Sequence, residues 1–282
     1  VVVKASITAL GPLVFTALRY GVAALTLFGL LRWRRGAIRW PGPIGWRLMA
    51  LGVMGFGFYQ VSWTLGLTQI TAGDSALLVA CSPVLTALIA GALGLDRLTV
   101  PKMAGAAVAF VGVAIVVTQG HAMSLGASLV GDAITLFAAC MWAIYTVAGA
   151  RVLRTVDPLD ATAWSVLGGL LFLIPFGVGD LLVAPPASWS LGVVVGVLYS
   201  GSLAAGIANV LVFRAIVVVG PTRAASAQLL VPFGAVMLGA VFLLEPVGVG
   251  QVVGGLIIVA GLLLTRQRSF KPSLSLPHRA SG

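Results

Sequence analysis

The sequence predicts an all-α polytopic membrane protein of ten helices, arranged as two five-helix repeats that enter the bilayer in opposite senses. Three observations carry this prediction: the composition, an internal duplication and the placement of the basic residues. Of the 282 residues, 60% are hydrophobic and 9% charged, and the mean hydropathy is +1.10; no soluble domain has that balance. The stretch Gly66 to Gly112, GLTQITAGDSALLVACSPVLTALIAGALGLDRLTVPKMAGAAVAFVG, recurs without a gap 149 positions later as Ala215 to Gly261, AIVVVGPTRAASAQLLVPFGAVMLGAVFLLEPVGVGQVVGGLIIVAG. In that register Pro83 meets Pro232, Asp96 meets Glu245, Gly105 meets Gly254 and Gly112 meets Gly261.

Each helix is expected from an apolar run of about 20 residues, the length that crosses a ~30 Å hydrocarbon core. In the first half these runs are Pro12 to Leu31, Ile44 to Leu67, Ala72 to Leu95 and Val100 to Thr118. In the second they are Leu129 to Ala150, Pro158 to Val178, Ser190 to Phe213, Pro221 to Leu244 and Val247 to Thr265. The opening residues VVVKASITAL read as the end of a tenth span, because an offset of 146 aligns Pro12 with Pro158, Leu13 with Leu159 and Thr16 with Thr162. The chain thus divides into a first repeat over residues 1–119, its first helix incomplete, a second over 120–266 and a basic tail over 267–282.

The net charge of +10 and the isoelectric point near 10.8 invite a nucleic-acid reading, but the charges are not gathered into a patch. Apart from Lys4 and Arg19, the Lys and Arg, fifteen of the seventeen, fall in alternate loops: Arg32 to Arg47, Arg97 and Lys102, Arg151 and Arg154, Arg214 and Arg223, and the tail from Arg266. Basic loops face the cytoplasm, so the C-terminus is expected there, in a plasma (bacterial inner) membrane. Five spans per half is an odd number, which inverts the second repeat relative to the first. The expected partners are therefore a lipid bilayer and a small-molecule substrate, not nucleic acid, with the protein a monomer or a homodimer.

Pro83 and Pro232 lie inside apolar helices. A proline there removes a backbone hydrogen bond, and the freed carbonyl must face protein or a water-filled cavity. Interrupted helices at matching places in two inverted halves mark a substrate path, so both prolines are candidate hinges. Segments such as AGDSALLVACSPVLTALIAGALGLDRLT and GPTRAASAQLLVPFGAVMLGAVFLLEP, each with an acidic turn before a glycine-spaced helix, resemble the EamA family of the drug/metabolite transporter superfamily. The resemblance covers Gly11 to about Arg266 and implies a ten-helix secondary transporter in a plasma membrane.

The candidate substrate-binding residues are Arg19, Tyr59, Gln60, Trp63, Ser82, Trp142, Tyr145, Asn209 and Gln228. Arg19 stands about 10 Å into its span at 1.5 Å per residue. A charge at that depth needs a reason: it is either a counter-ion for a substrate carboxylate or phosphate, or a lock on carbonyls of a neighbouring helix. Tyr59, Gln60 and Trp63 have the spacing of one helix face, and Gln60 aligns with Asn209 in the repeat register. The two amides serve either as a binding pair or as interhelical glue. Ala138, Trp142, Tyr145 and Gly149 form one stripe, whose aromatics are either a cavity wall or an interfacial belt. Ser82 and Gln228 flank the proline breaks, where a polar side chain binds substrate or caps freed backbone. Gly192, Gly196, Ser200, Ala204 and Ala208 repeat every fourth position and read as a packing seam.

Asp74, Asp132, Asp157 and Asp160 stand near span ends, where helix dipoles favour carboxylates. Cys81 and Cys140 are too far apart in sequence for metal spacing, and no cofactor or metal is expected. A membrane-embedded lipid-modifying enzyme is the alternative, together with a lipid- or metabolite-binding scaffold. The enzyme would need a catalytic set such as HExxH or a Ser/His pair inside the bilayer, and the sequence has neither. The leading expectation is a secondary transporter of amino acids or drug-like compounds, an exporter working by alternating access.

Overall fold

The computed structural model describes residues 10–70, 72–96, 99–118, 128–183, 189–231, 234 and 248–265. Regular structure among them is helical throughout. The helices are α1 (Pro12–Arg35), α2 (Pro43–Leu67), α3 (Asp74–Ala92), α4 (Val100–Thr118), α5 (Leu129–Val152), α6 (Pro158–Val183), α7 (Leu191–Val219), α8 (Pro221–Ala227) and α9 (Val249–Thr265). Six of these, α1, α2, α3, α5, α6 and α7, are long and apolar enough to cross a bilayer. The helices α4 and α9 have 19 and 17 residues, close to the lower limit for a span. Lys4, Pro232, Glu245 and the basic tail lie outside the described residues.

Local chemistry sets the helix ends. Proline opens α1, α2 and α8, where its missing N–H is one the helix would leave unpaired anyway. Gly36 ends α1 at φ 71°, its N–H donating to Arg32 O at 2.8 Å, and Arg32, Arg34 and Arg35 occupy the last turn, where the dipole favours cations. Ser128 Oγ caps α5 by accepting from Gly131 N at 3.2 Å, and Ser190 Oγ caps α7 by accepting from Val193 N at 3.3 Å. Large apolar side chains such as Leu25, Leu182, Leu211 and Leu256 are exposed, as expected of faces that meet lipid.

Counterpart helices pack on one another. Helices α4 and α9 cross at glycines: a methyl on Gly254 would lie 2.7 Å from Gly112 O, and one on Gly261 would lie 2.6 Å from Gly105 O. Residue numbers rise on one helix as they fall on the other, so the two run antiparallel. The repeat register exchanges Gly105 with Gly254 and Gly112 with Gly261, turning each contact into the other. Such reciprocity is the signature of a twofold axis, here between two halves of one chain of opposite sense.

The pair α1 and α6 is likewise antiparallel and is fastened at both ends. Asp180, late in α6, accepts from Leu13 N at 3.1 Å and Val14 N at 3.4 Å at the start of α1. At the opposite end Arg35 meets Asp160 at 2.5 Å and Asp157 at 3.7 Å. Asp157 also accepts from Leu159 N at 2.9 Å, so it caps α6. In the acidic turn after α3, Asp96 pairs with Lys102 of α4, both buried.

Two features break helical regularity at matching positions. Residues 53–58 of α2 and 200–207 of α7 are π-helical, and an offset of 149 carries 53–58 onto 202–207. Helix α3 breaks at Ala80 and Cys81, just ahead of Pro83, while the helix begun by α8 breaks at Gln228 and Leu229. The π segment corrects the expected seam on α7: Gly196 and Ser200 are buried, but Gly192 and Ala204 are exposed, and the buried line passes to Gly201, Ala205 and Asn209. A π turn holds more residues than an α turn, so a strict every-fourth pattern cannot continue through it.

Candidate functional site

Where α1, α2, α5, α7 and α8 approach, aromatic side chains gather. Tyr59 and Trp63 stack on one face of α2, with centroids 6.5 Å apart and rings 7° from parallel. Tyr59 also meets Trp142 of α5 at 5.2 Å, and Trp142 meets Tyr145 one turn on at 5.3 Å. Phe56 joins them, 4.9 Å from Tyr145 and 5.3 Å from Tyr20, and Tyr145 stacks on Phe213 at 5.1 Å. Such ring pairs each add about 0.5–1.5 kcal/mol beyond area burial. Glycines make room for them: a methyl on Gly55 would collide with the Tyr145 ring, and one on Gly149 would lie 2.8 Å from Phe213.

Polar groups stand around this cluster. Trp142 Nε1 donates to Gln228 Oε1 at 3.1 Å, tying the helix break in α8 to α5. The remaining Gln228 Nε2 donor, Tyr145 Oη and Arg19 Nε are buried without a hydrogen-bond partner among the described residues. An unmet buried polar group costs about 1–3 kcal/mol and calls for a physical reason. Arg19 lies over the Tyr20 ring, 5.2 Å from its centroid, and so joins the cluster through Tyr20 and Phe56.

The structure therefore brings together Tyr59, Trp63, Trp142, Tyr145 and Gln228, with Arg19 at the edge. Gln60 is buried on α2 beside Tyr59. Asn209 is also buried, but its Nδ2 donates to Ala205 O at 2.8 Å within α7, so that donor is held inside its own helix. Ser82 is buried where α3 resumes, its carbonyl accepting from Thr86 Oγ1 at 2.8 Å, and Pro83 follows it in the first turn. Tyr20, Phe56 and Phe213 escaped sequence reasoning, although Phe56 precedes Tyr59 by three positions and so belongs to the same face. Cys81 and Cys140 are free thiols, and no group of potential metal ligands occurs among the described residues.

A model of the EamA-like transporter family matches residues 1–118 and again residues 129–267. The chain belongs to this family. Its members here are transporters rather than enzymes, and this EamA-like chain is a multi-pass membrane protein. An uncharacterized transporter of Archaeoglobus fulgidus is 27% identical over 93% of the chain and 90% of its own length. A probable terminal-alkyne amino-acid exporter of Streptantibioticus cattleyicolor is 29% identical over 89% of the chain and 86% of its own length. A solved crystal structure superposes with a TM-score of 0.77 at 19% identity, over 93% of the chain and 91% of that structure, and so shares the fold of this EamA-like protein.

Proposed function

We propose that this protein is a secondary exporter of small organic molecules, amino acids or compact drug-like amphiphiles, working by alternating access between its inverted repeats. The observation that carries the reading is the reciprocal crossing of Gly112 with Gly254 and of Gly105 with Gly261. Two halves of equal design and opposite sense can exchange conformations, so that a central site opens to one side and then the other. The matched π segments and proline breaks are the places where such an exchange bends the helices.

The site favours a ligand with a flat or apolar body and a carboxylate. Tyr59, Trp63 and Trp142 offer ring faces, Arg19 offers a guanidinium suited to a carboxylate, and Gln228 and Tyr145 offer unused polar atoms. The amino-acid exporter among the relatives supports this class of cargo. Residues 1–119 and 120–266 act as the two moving repeats, with Pro83 and Pro232 as hinges. The protein sits in the bacterial inner membrane with its C-terminus in the cytoplasm, as a monomer or homodimer.

The test is counterflow. Purified protein in liposomes preloaded with one unlabelled amino acid from an aromatic and aliphatic panel is given the same compound labelled outside. Transient accumulation of label above equilibrium, lost in a variant carrying a cysteine crosslink between α3 and α8, supports alternating access. Absence of counterflow across the panel, or flux undiminished by the crosslink, overturns it.

A further inference from the structure

We propose that the rim formed by residues 32–47 is a binding site for the phosphate headgroup of an anionic phospholipid. The segment, RWRRGAIRWPGPIGWR, holds five arginines and three tryptophans and no acidic residue. It joins α1 to α2 through two left-handed glycines, Gly36 at φ 71° and Gly42 at φ 67°. Beside it opens a pocket of about 590 Å³ lined by Leu31, Arg35, Ala37, Ile38, Arg39 and Asp160. Arg35 is shared between Asp160 and Asp157, so one guanidinium faces two carboxylates at this edge of the pocket. Arg39 makes no ion pair among the described residues, and the five arginines of the segment outnumber those two carboxylates, which leaves the rim a net charge of +3. A guanidinium is the side chain best matched to phosphate oxygens.

The surroundings point to a lipid phosphate rather than a soluble one. Trp33 and Trp46 are 81% and 67% exposed, while Trp40 packs edge-on against Trp164 at 4.8 Å and Trp46 at 5.2 Å. Indoles with this placement, at the ends of two spans, sit at headgroup depth. The exposed side chains Leu18 and Leu25 on α1 offer a face for acyl chains below. Arginine clusters beside a transmembrane helix draw anionic lipid from the bilayer. The site is separate from the aromatic cluster and does not depend on the transport reading.

The full chain in maltoside micelles, followed by tryptophan fluorescence on heating, provides the test. Phosphatidylglycerol raises Tm by about 5 °C, the scale of a ligand that saturates only the folded state, whereas phosphatidylcholine does not. Arg39→Gln loses more than half of that shift, Arg39→Lys keeps most of it, and Arg214→Gln, an exposed arginine on α7, leaves it unchanged. An equal shift with phosphatidylcholine overturns the proposal, as does a full shift with glycerol 1-phosphate alone or an equal loss in Arg214→Gln. Native mass spectrometry of the unaltered protein gives a second readout: phosphatidylglycerol retained in preference to phosphatidylcholine supports the site, and no preference overturns it.

Discussion

The carbonyl oxygen of Arg19 lies 2.6 Å from the point where a methyl on Gly201 would be, and Ser165 makes the same backbone approach to Gly52. Arg19 and Ser165 are counterparts at an offset of 146, and Gly52 and Gly201 at 149, so this crossing of α1 with α7 and of α6 with α2 is one contact made twice. Each glycine also stands immediately beside or at the start of a π segment. The repeat thus extends to where the helices touch as well as to where they bend.

Gly201→Val should lower the Tm of the detergent-solubilised protein, because the added side chain meets backbone that cannot move aside; overpacking of this kind costs about 1–3 kcal/mol or more. Gly29→Ala, where nothing lies within 4 Å, should leave Tm unchanged. Equal effects of the two would show that the crossing is not tight.

The bond from Trp142 to Gln228 predicts coupling between α5 and α8. In a double-mutant cycle of Trp142→Phe and Gln228→Leu, chemical or thermal unfolding should report a coupling energy of about 1 kcal/mol, the net worth of one hydrogen bond. Additive effects would place the two side chains apart.

Arg19→Gln should weaken binding of a carboxylate-bearing ligand about tenfold or more, since a charge-assisted bond to a charged group contributes roughly 1.5–3 kcal/mol. The amide analogue of the same ligand should bind both proteins alike. Calorimetric titration in detergent distinguishes this from a purely structural role, in which both ligands would lose affinity together.

Asp180→Asn should weaken the fastening of α6 to the first turn of α1. An asparagine still caps, so the loss should be small, whereas Asp180→Ala should cost about 0.5–2 kcal/mol, the range for deleting a helix cap. Hydrogen exchange at Leu13 and Val14 should speed up in the alanine variant while that in α4 stays as it was.

The buried pair Asp96 and Lys102 should behave oppositely to a surface bridge. Asp96→Ala leaves a buried ammonium short of its carboxylate and should cost on the order of 3 kcal/mol, while Asp96→Leu combined with Lys102→Met should recover most of that loss. Thermal melts of the three proteins decide it.

Much of the fold was legible in the residues. The register aligns Gly105 with Gly254 and Gly112 with Gly261 as counterparts, while the structure shows that the glycines that meet are Gly112 with Gly254 and Gly105 with Gly261. The proline at 83 marked a break in α3, and the i,i+3 and i,i+4 spacing of Tyr59, Gln60 and Trp63 correctly put Tyr59 and Trp63 on one face. The π segments were not legible, because glycine-rich helix permits a wider turn without requiring one. For that reason the seam expected through Ala204 slid to Ala205. Phe56, Tyr20 and Phe213 were hidden among many other apolar side chains, since in a membrane protein hydrophobicity no longer separates inside from outside.

What the sequence determined by itself was the bilayer as solvent and the inverted pairing of halves, since these depend on hydropathy and repetition along the chain. Only the tertiary structure decided which rings converge and which polar atoms are left without partners. Those properties belong to the distances between helices, and a linear pattern fixes the face each helix can present but not the neighbour that meets it.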